Sequence, residues 1–133
     1  MTKSDTIIEL KKQKIVAVIR GNTKEEGLQA SIACIKGGIK AIEIAYTNPY
    51  AGQIIKELVD LYQDDQSVCI GAVKAPIPQV SVMVTGGVGL NNIPQWFAAG
   101  ADAVGIGGEL NKLASQGNFD RISEIAQQYV TLR

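Results

Sequence analysis

Short apolar runs alternate along the chain with longer segments whose apolar residues recur every three or four positions. Ser4 to Lys12 has the pattern of a short leading helix. Ile15-Val16-Ala17-Val18-Ile19 is continuously apolar and mostly β-branched, which predicts a strand buried on both faces. Thr23 and Glu26 have capping-box spacing, and Leu28, Ile32 and Ile35 follow at helical spacing until Gly37-Gly38. Ala41 to Tyr46 predicts a second strand, with Asn48 as a cap and Pro49 at the first helical position. The helix that follows carries Ala51, Ile54, Ile55, Leu58 and Tyr62 on one face. Ser67 to Gly71 predicts a third strand and Val80 to Thr85 a fourth. Asn91 to Ala99 predicts a helix, Ala103 to Ile106 a strand, and Phe119 to Val130 a last helix. Alternating strands and helices with apolar strands predict an α/β fold built on a parallel sheet.

One connection breaks the alternation. Between Gly71 and Val80 lie Ala72-Val73-Lys74-Ala75-Pro76-Ile77-Pro78-Gln79, with two prolines and no helical period. Joining two adjacent parallel strands takes about a dozen residues or more, usually a helix. Either these strands are not neighbours, or residues that once joined them are absent; absence is the favoured reading.

Composition narrows the function classes. At 133 residues with 46% hydrophobic and 20% charged positions, the chain is expected to form a single domain, 1–133. Thirteen basic residues balance thirteen acidic ones without a like-charge run, which argues against nucleic acid and anionic membrane as partners. No apolar stretch reaches the roughly 18–20 residues that span a bilayer. The opening Met1-Thr2-Lys3-Ser4-Asp5 lacks the apolar run of a signal peptide, so the expected compartment is the cytoplasm. Cys34 and Cys69 sit in apolar segments, as buried thiols do. The chain contains no histidine, which removes Ser-His-Asp and Cys-His catalysis and the usual zinc sites. Acid–base chemistry must come from carboxylates, lysines or tyrosines, and no metal site is expected.

Glu43 is the leading candidate for such chemistry. Strand alternation puts Ala41, Glu43, Ala45 and Thr47 on one face and Ile42, Ile44 and Tyr46 on the other. A carboxylate on a covered face is costly unless paired or used, and burial raises its pKa towards a working range; the alternative is an exposed glutamate on an edge strand. Arg20 ends the first strand, at the edge where α/β enzymes place their sites, and could hold a carboxylate or phosphate in two-point fashion or be a solvated loop residue. Thr85-Gly86-Gly87 and Gly107-Gly108 end the last two strands, where backbone N–H groups can approach an anion or simply form tight turns. Lys74 precedes a Pro-x-Pro loop instead of ending a strand, and Trp96 and Phe97 suit helix packing better than a sugar platform.

Val16-Ala17-Val18-Ile19-Arg20, Ala41-Ile42-Glu43-Ile44-Ala45-Tyr46-Thr47 and Val84-Thr85-Gly86-Gly87-Val88 resemble strands 1, 2 and 7 of the 2-keto-3-deoxy-6-phosphogluconate (KDPG) aldolase family. Ile106-Gly107-Gly108 with Glu109-Leu110 resembles the end of strand 8. The resemblance implies a (β/α)8 TIM-type barrel of which only the units of strands 1–3 and 7–8 are present, with a discontinuity near 72–74. At roughly 25–30 residues per unit, about 70–80 residues would be missing. They would include the lysine after strand 6 that forms the family's Schiff base, so the chain itself is expected to be inactive.

The resemblance further implies a class I aldolase that splits a 2-keto-3-deoxy (phospho)sugar acid into pyruvate and an aldehyde without metal or organic cofactor. Glu43 would be the proton-transfer residue, with Arg20, Thr47 and Thr85 binding substrate and Gly86, Gly87, Gly107 and Gly108 binding phosphate. A small 2-keto acid is the implied partner, and a homo-oligomer, a trimer, the implied assembly. Glu109 stands where many relatives have a small hydroxyl residue, and Tyr46 where some carry a second arginine. Both cut against a phosphorylated substrate; 2-keto-3-deoxy-6-phosphogluconate stays the leading substrate that the resemblance implies, with a non-phosphorylated 2-keto-3-deoxy acid or 4-hydroxy-2-oxoglutarate as options. Two other readings remain: a non-enzymatic flavodoxin-like βα module, and a sugar-phosphate isomerase or epimerase barrel.

Overall fold

A computed structural model of the protein describes residue 9 and residues 11–72, 83–85 and 88–133. The five described strands are β1 (Ile15–Ile19), β2 (Ala41–Ile44), β3 (Cys69–Ala72), β4 (Met83–Thr85) and β5 (Ala103–Ile106). They form one sheet in the order β3-β2-β1-β5-β4, and every pairing is parallel. The first strand thus pairs with the last, the closure expected where the two ends of a βα barrel meet. β3 and β4 are not neighbours but lie at opposite edges. A flavodoxin-like sheet has the order 2-1-3-4-5, so the flavodoxin-like topology is corrected. The foreseen junction near 72–74 falls, beyond Ala72, outside the described residues, as does Lys74.

Of the expected leading helix over 4–12, residues 9, 11 and 12 are described and helical, with residue 13, and the rest lies outside the described residues. Five further helices are described, α1 (Lys24–Lys36), α2 (Ala51–Leu61), α3 (Ile93–Ala98), α4 (Gly108–Ser115) and α5 (Phe119–Val130). Strand alternation sends Ile15, Ala17 and Ile19, Ile42 and Ile44, and Val104 and Ile106 to one face. There they share a single buried cluster with residues from all five helices, among them Ala30, Leu58, Ile93, Leu110 and Ile125. The opposite face carries a small cluster of Val16, Ala41 and Cys69. This is barrel-type layering, with helices outside and small residues inside. Both cysteines are buried and free, and burial pushes the Cys34 thiol up to about 12. Among the described residues no helix is long and apolar enough to cross a membrane.

Local chemistry explains most boundaries. The Thr23 hydroxyl accepts from the Glu26 N–H at 3.1 Å and starts α1; Gly38, at φ +107, lets the chain leave its far end. Two expectations need correction. β2 stops at Ile44, not Tyr46, because the chain turns through Ala45 and Asn48, whose N–H bonds back to the Ala45 carbonyl at 3.1 Å. Tyr46 is therefore 55% exposed and not part of the helix-facing row. Asn48 does not cap α2, which begins at Ala51 after Tyr50; its side chain is buried for another purpose.

Candidate functional site

The carboxyl ends of β2, β1, β5 and β4 stand side by side in the sheet. Val18 is the register partner of Glu43, and Glu43 that of Gly71, so Glu43 shares the inner face with Ala41. It is half-buried. Desolvation raises its carboxyl pKa above the ordinary carboxylate value, and the positive charge of Arg20 pulls it partly back. Among the described residues, a Cβ added at Gly71 would meet nothing within 4 Å, so on that side the space beside Glu43 is open.

Arg20 follows β1 and is exposed. Its guanidinium reaches sideways: Nη1 lies 3.4 Å from where a Cβ of Gly107 would be. Arg20 thus lies against the start of α4 after β5, and its charge acts on Glu43 of β2. The peptide beneath that guanidinium is gripped twice. The Arg20 N–H donates to Asn111 Oδ1 at 2.8 Å, and the Arg20 carbonyl accepts from Asn48 Nδ2 at 3.0 Å. Asn48 also donates to the Thr23 carbonyl at 3.1 Å and accepts from the Tyr50 N–H at 2.9 Å. Asn111 Nδ2 donates to the carbonyls of Val18 at 2.8 Å and Gly107 at 2.7 Å.

Gly107 is glycine for a steric reason. A Cβ there would stand 2.8 Å from the Val18 carbonyl oxygen. Gly108 opens α4 with open space around it, and the first-turn N–H groups of a helix attract anions. Glu109 follows, its Oε2 accepting from the Tyr129 hydroxyl on α5 at 3.4 Å. Burial, with this carboxylate beside it, pushes the Tyr129 hydroxyl up to about 12.

The family model for KDPG and KHG aldolases matches residues 7–74, just over half of the chain. The chain belongs to the KDPG and KHG aldolase family. Among solved structures, it is similar to one described as the native KDPGal structure, at 20% identity and a TM-score of 0.71. That match covers 89% of this chain and 93% of the other. It is also similar to a cube-shaped, highly porous protein cage designed by fusing symmetric oligomeric domains, at 19% identity and a TM-score of 0.70, over 91% of this chain and 72% of that one. At these identities the likeness speaks for the fold, that of the TIM-type aldolase barrel. Comparison with curated protein sequences found no match.

Of the residues singled out for aldolase chemistry, the structure brings Glu43, Arg20 and Gly107 together, with Gly108 opening the adjoining helix. Thr47 lies exposed in the turn after β2, at the same end of the sheet. Thr85 ends β4 in register with Gly105; Gly86 and Gly87 lie outside the described residues. Asn111 and the helix that carries it were missed. The signal was present, since Leu110, Leu113 and Ala114 have helical spacing after Gly107-Gly108.

Proposed function

We propose that this member of the aldolase family keeps the proton-transfer and anion-recognition side of a Schiff-base aldolase site, shaped for a 2-keto-3-deoxy sugar acid, and does not itself cleave it. The observation that carries this reading is the half-buried Glu43, its pKa raised by desolvation, with the Arg20 charge acting on it at the carboxyl ends of adjacent strands. A carboxyl shifted towards neutral pH can both give and take a proton. Arg20 supplies a fixed positive charge for the carboxylate of a 2-keto acid. The open space at Gly71 leaves room for the substrate carbon next to the Glu43 carboxyl.

Among the described residues, no lysine is placed to form the imine. Such a lysine must project from a strand end into the site. Lys14 and Lys40 directly precede β1 and β2, at the amino ends of the strands, and Lys40 bonds Ser67 at 3.0 Å. Lys24 is paired with Glu57 at 2.5 Å. Lys11, Lys12, Lys36, Lys56 and Lys112 lie in helical segments.

For a phosphorylated substrate, Glu109 stays an opposing charge one residue from Gly108. The Glu109 carboxylate, expected to repel phosphate, takes its hydrogen bond from Tyr129 on α5. The phosphate would lie at Gly107 and Gly108.

Borohydride trapping with labelled pyruvate tests the reading. The chain is expected to bind pyruvate, lose that binding in Arg20→Ala, and form no covalent adduct. A trapped adduct would show that one of its own lysines forms the imine. Pyruvate binding indifferent to Arg20 and Glu43 would remove the site altogether.

A further inference from the structure

We propose that Asn111 is the positioning residue of this site, its carboxamide adding one rung to the β1–β5 ladder and so setting Arg20 for a substrate carboxylate. This rests on the functional reading above and assigns a residue that reading does not require.

The backbone ladder between β1 and β5 runs through Ile15↔Val104 and Val16↔Gly105 and ends at Ala17↔Ile106. In a parallel pair, a residue bonds the carbonyl of the residue before its partner and the N–H of the residue after it. Asn111 reproduces that pattern with its side chain. Nδ2 donates to the Val18 carbonyl at 2.8 Å, and Oδ1 accepts from the Arg20 N–H at 2.8 Å, the two groups that flank Ile19. The carboxamide therefore stands where a strand residue opposite Ile19 would stand.

The main chain cannot supply this rung. At Gly107, with φ −157 and ψ −39, it leaves the strand and enters α4. The second hydrogen of Nδ2 returns to the Gly107 carbonyl at 2.7 Å, and the Asn111 N–H bonds the same carbonyl at 2.8 Å. Asn111 is thus locked to the strand end that it extends, with both amide hydrogens and its oxygen in use. Aspartate at this position would face the Val18 and Gly107 carbonyls without a donor, and glutamine would overreach by one methylene.

What this rung holds is the peptide of Arg20. The guanidinium itself is exposed and long, and its position over Gly107 beside Glu43 depends on where its backbone starts. Asn111 is no catalytic group. It acts through Arg20.

The test is a double-mutant cycle on the 133-residue chain, with pyruvate affinity as the readout and urea stability recorded for each variant. Asn111→Ala is expected to weaken pyruvate binding roughly tenfold, Arg20→Ala at least as much, and the double variant no more than Arg20→Ala alone. A loss from Asn111→Ala that persists in full in the Arg20→Ala background, or no loss at all, overturns the proposal. A wild-type chain that does not bind pyruvate overturns it together with the functional reading. Binding that needs Arg20 but not Asn111 overturns the positioning role alone. Should Asn111→Ala fail to fold, amide exchange at Arg20 in the wild-type chain decides. Pyruvate is expected to slow it, and an unchanged rate overturns the proposal.

Discussion

Asn48 donates through Nδ2 to the carbonyl of Arg20 at 3.0 Å, across 28 residues of chain. The bond joins the loop after β2 to the loop after β1 and is made by a side chain only 1% exposed. A buried carboxamide with no partners would be costly, yet here Nδ2 serves two carbonyls and Oδ1 one N–H. The loops around Arg20 are therefore ordered by hydrogen bonding.

Asn48→Ala strands the Arg20 and Thr23 carbonyls and the Tyr50 N–H. It is expected to destabilise the fold by about 2–3 kcal/mol, read from urea unfolding. Asn48→Asp is expected to be no better, since a carboxylate would face the same two carbonyls.

Glu43 gives a pH dependence with a definite sign. Its folded-state pKa is raised by desolvation, so the native state binds this proton more tightly than the unfolded chain. The associated stability is fully present below the ordinary carboxylate pKa and is lost as pH rises through the folded value. Glu43→Gln is expected to be at least as stable as wild type at pH 7. That advantage should vanish in acid, where Glu43 is neutral in both states. Paired urea titrations at the two pH values check this, and a variant less stable at pH 7 would contradict it.

The neighbouring glycines should respond oppositely to the same substitution. Gly107→Ala forces a methyl to 2.8 Å from the Val18 carbonyl and 3.2 Å from Asn111 Nδ2. The expected cost is about 1–3 kcal/mol, with weakened anion binding. Gly108→Ala meets nothing within 4 Å and lies in the first turn of α4. It is expected to gain roughly 0.5–1 kcal/mol of stability while lowering phosphate affinity if phosphate approaches that backbone. Thermal melts with and without inorganic phosphate separate the two.

Tyr129 is expected to ionise well above the ordinary tyrosine range. Burial and the Glu109 carboxylate raise its pKa to about 12. The corresponding stability is intact below the ordinary tyrosine pKa near 10 and is lost as pH climbs towards 12. Ultraviolet titration of Tyr129→Phe should lack a step near pH 12 seen in the wild type.

The strands were legible because β1, β2 and β5 are apolar runs buried on the helix side, and because a βα period leaves few arrangements for such runs. Glu43 was legible through alternation alone, an acid in step with alanines. Arg20 was legible only as the residue that ends a strand. What the sequence could not show was that Asn48 and Asn111 grip that residue. Both bonds close between segments far apart in the chain, and asparagine before a helix reads first as a cap. The end of β2 was misjudged for a similar reason, since Ala45 and Tyr46 suit a strand locally and only the turn held by Asn48 stops it.

The pairing of the first strand with the last makes this site a seam. Asn111 and Val18 meet across 93 residues, so the contacts that hold Arg20 on the β5 side close one of the longest loops in the fold. Loop closure of that kind comes late in folding, and interactions absent from the folding transition state act on the rate of unfolding. A ligand seated between Arg20 and Gly107 would accordingly act as a latch. It would lengthen the lifetime of the closed chain while leaving the speed of its formation almost untouched.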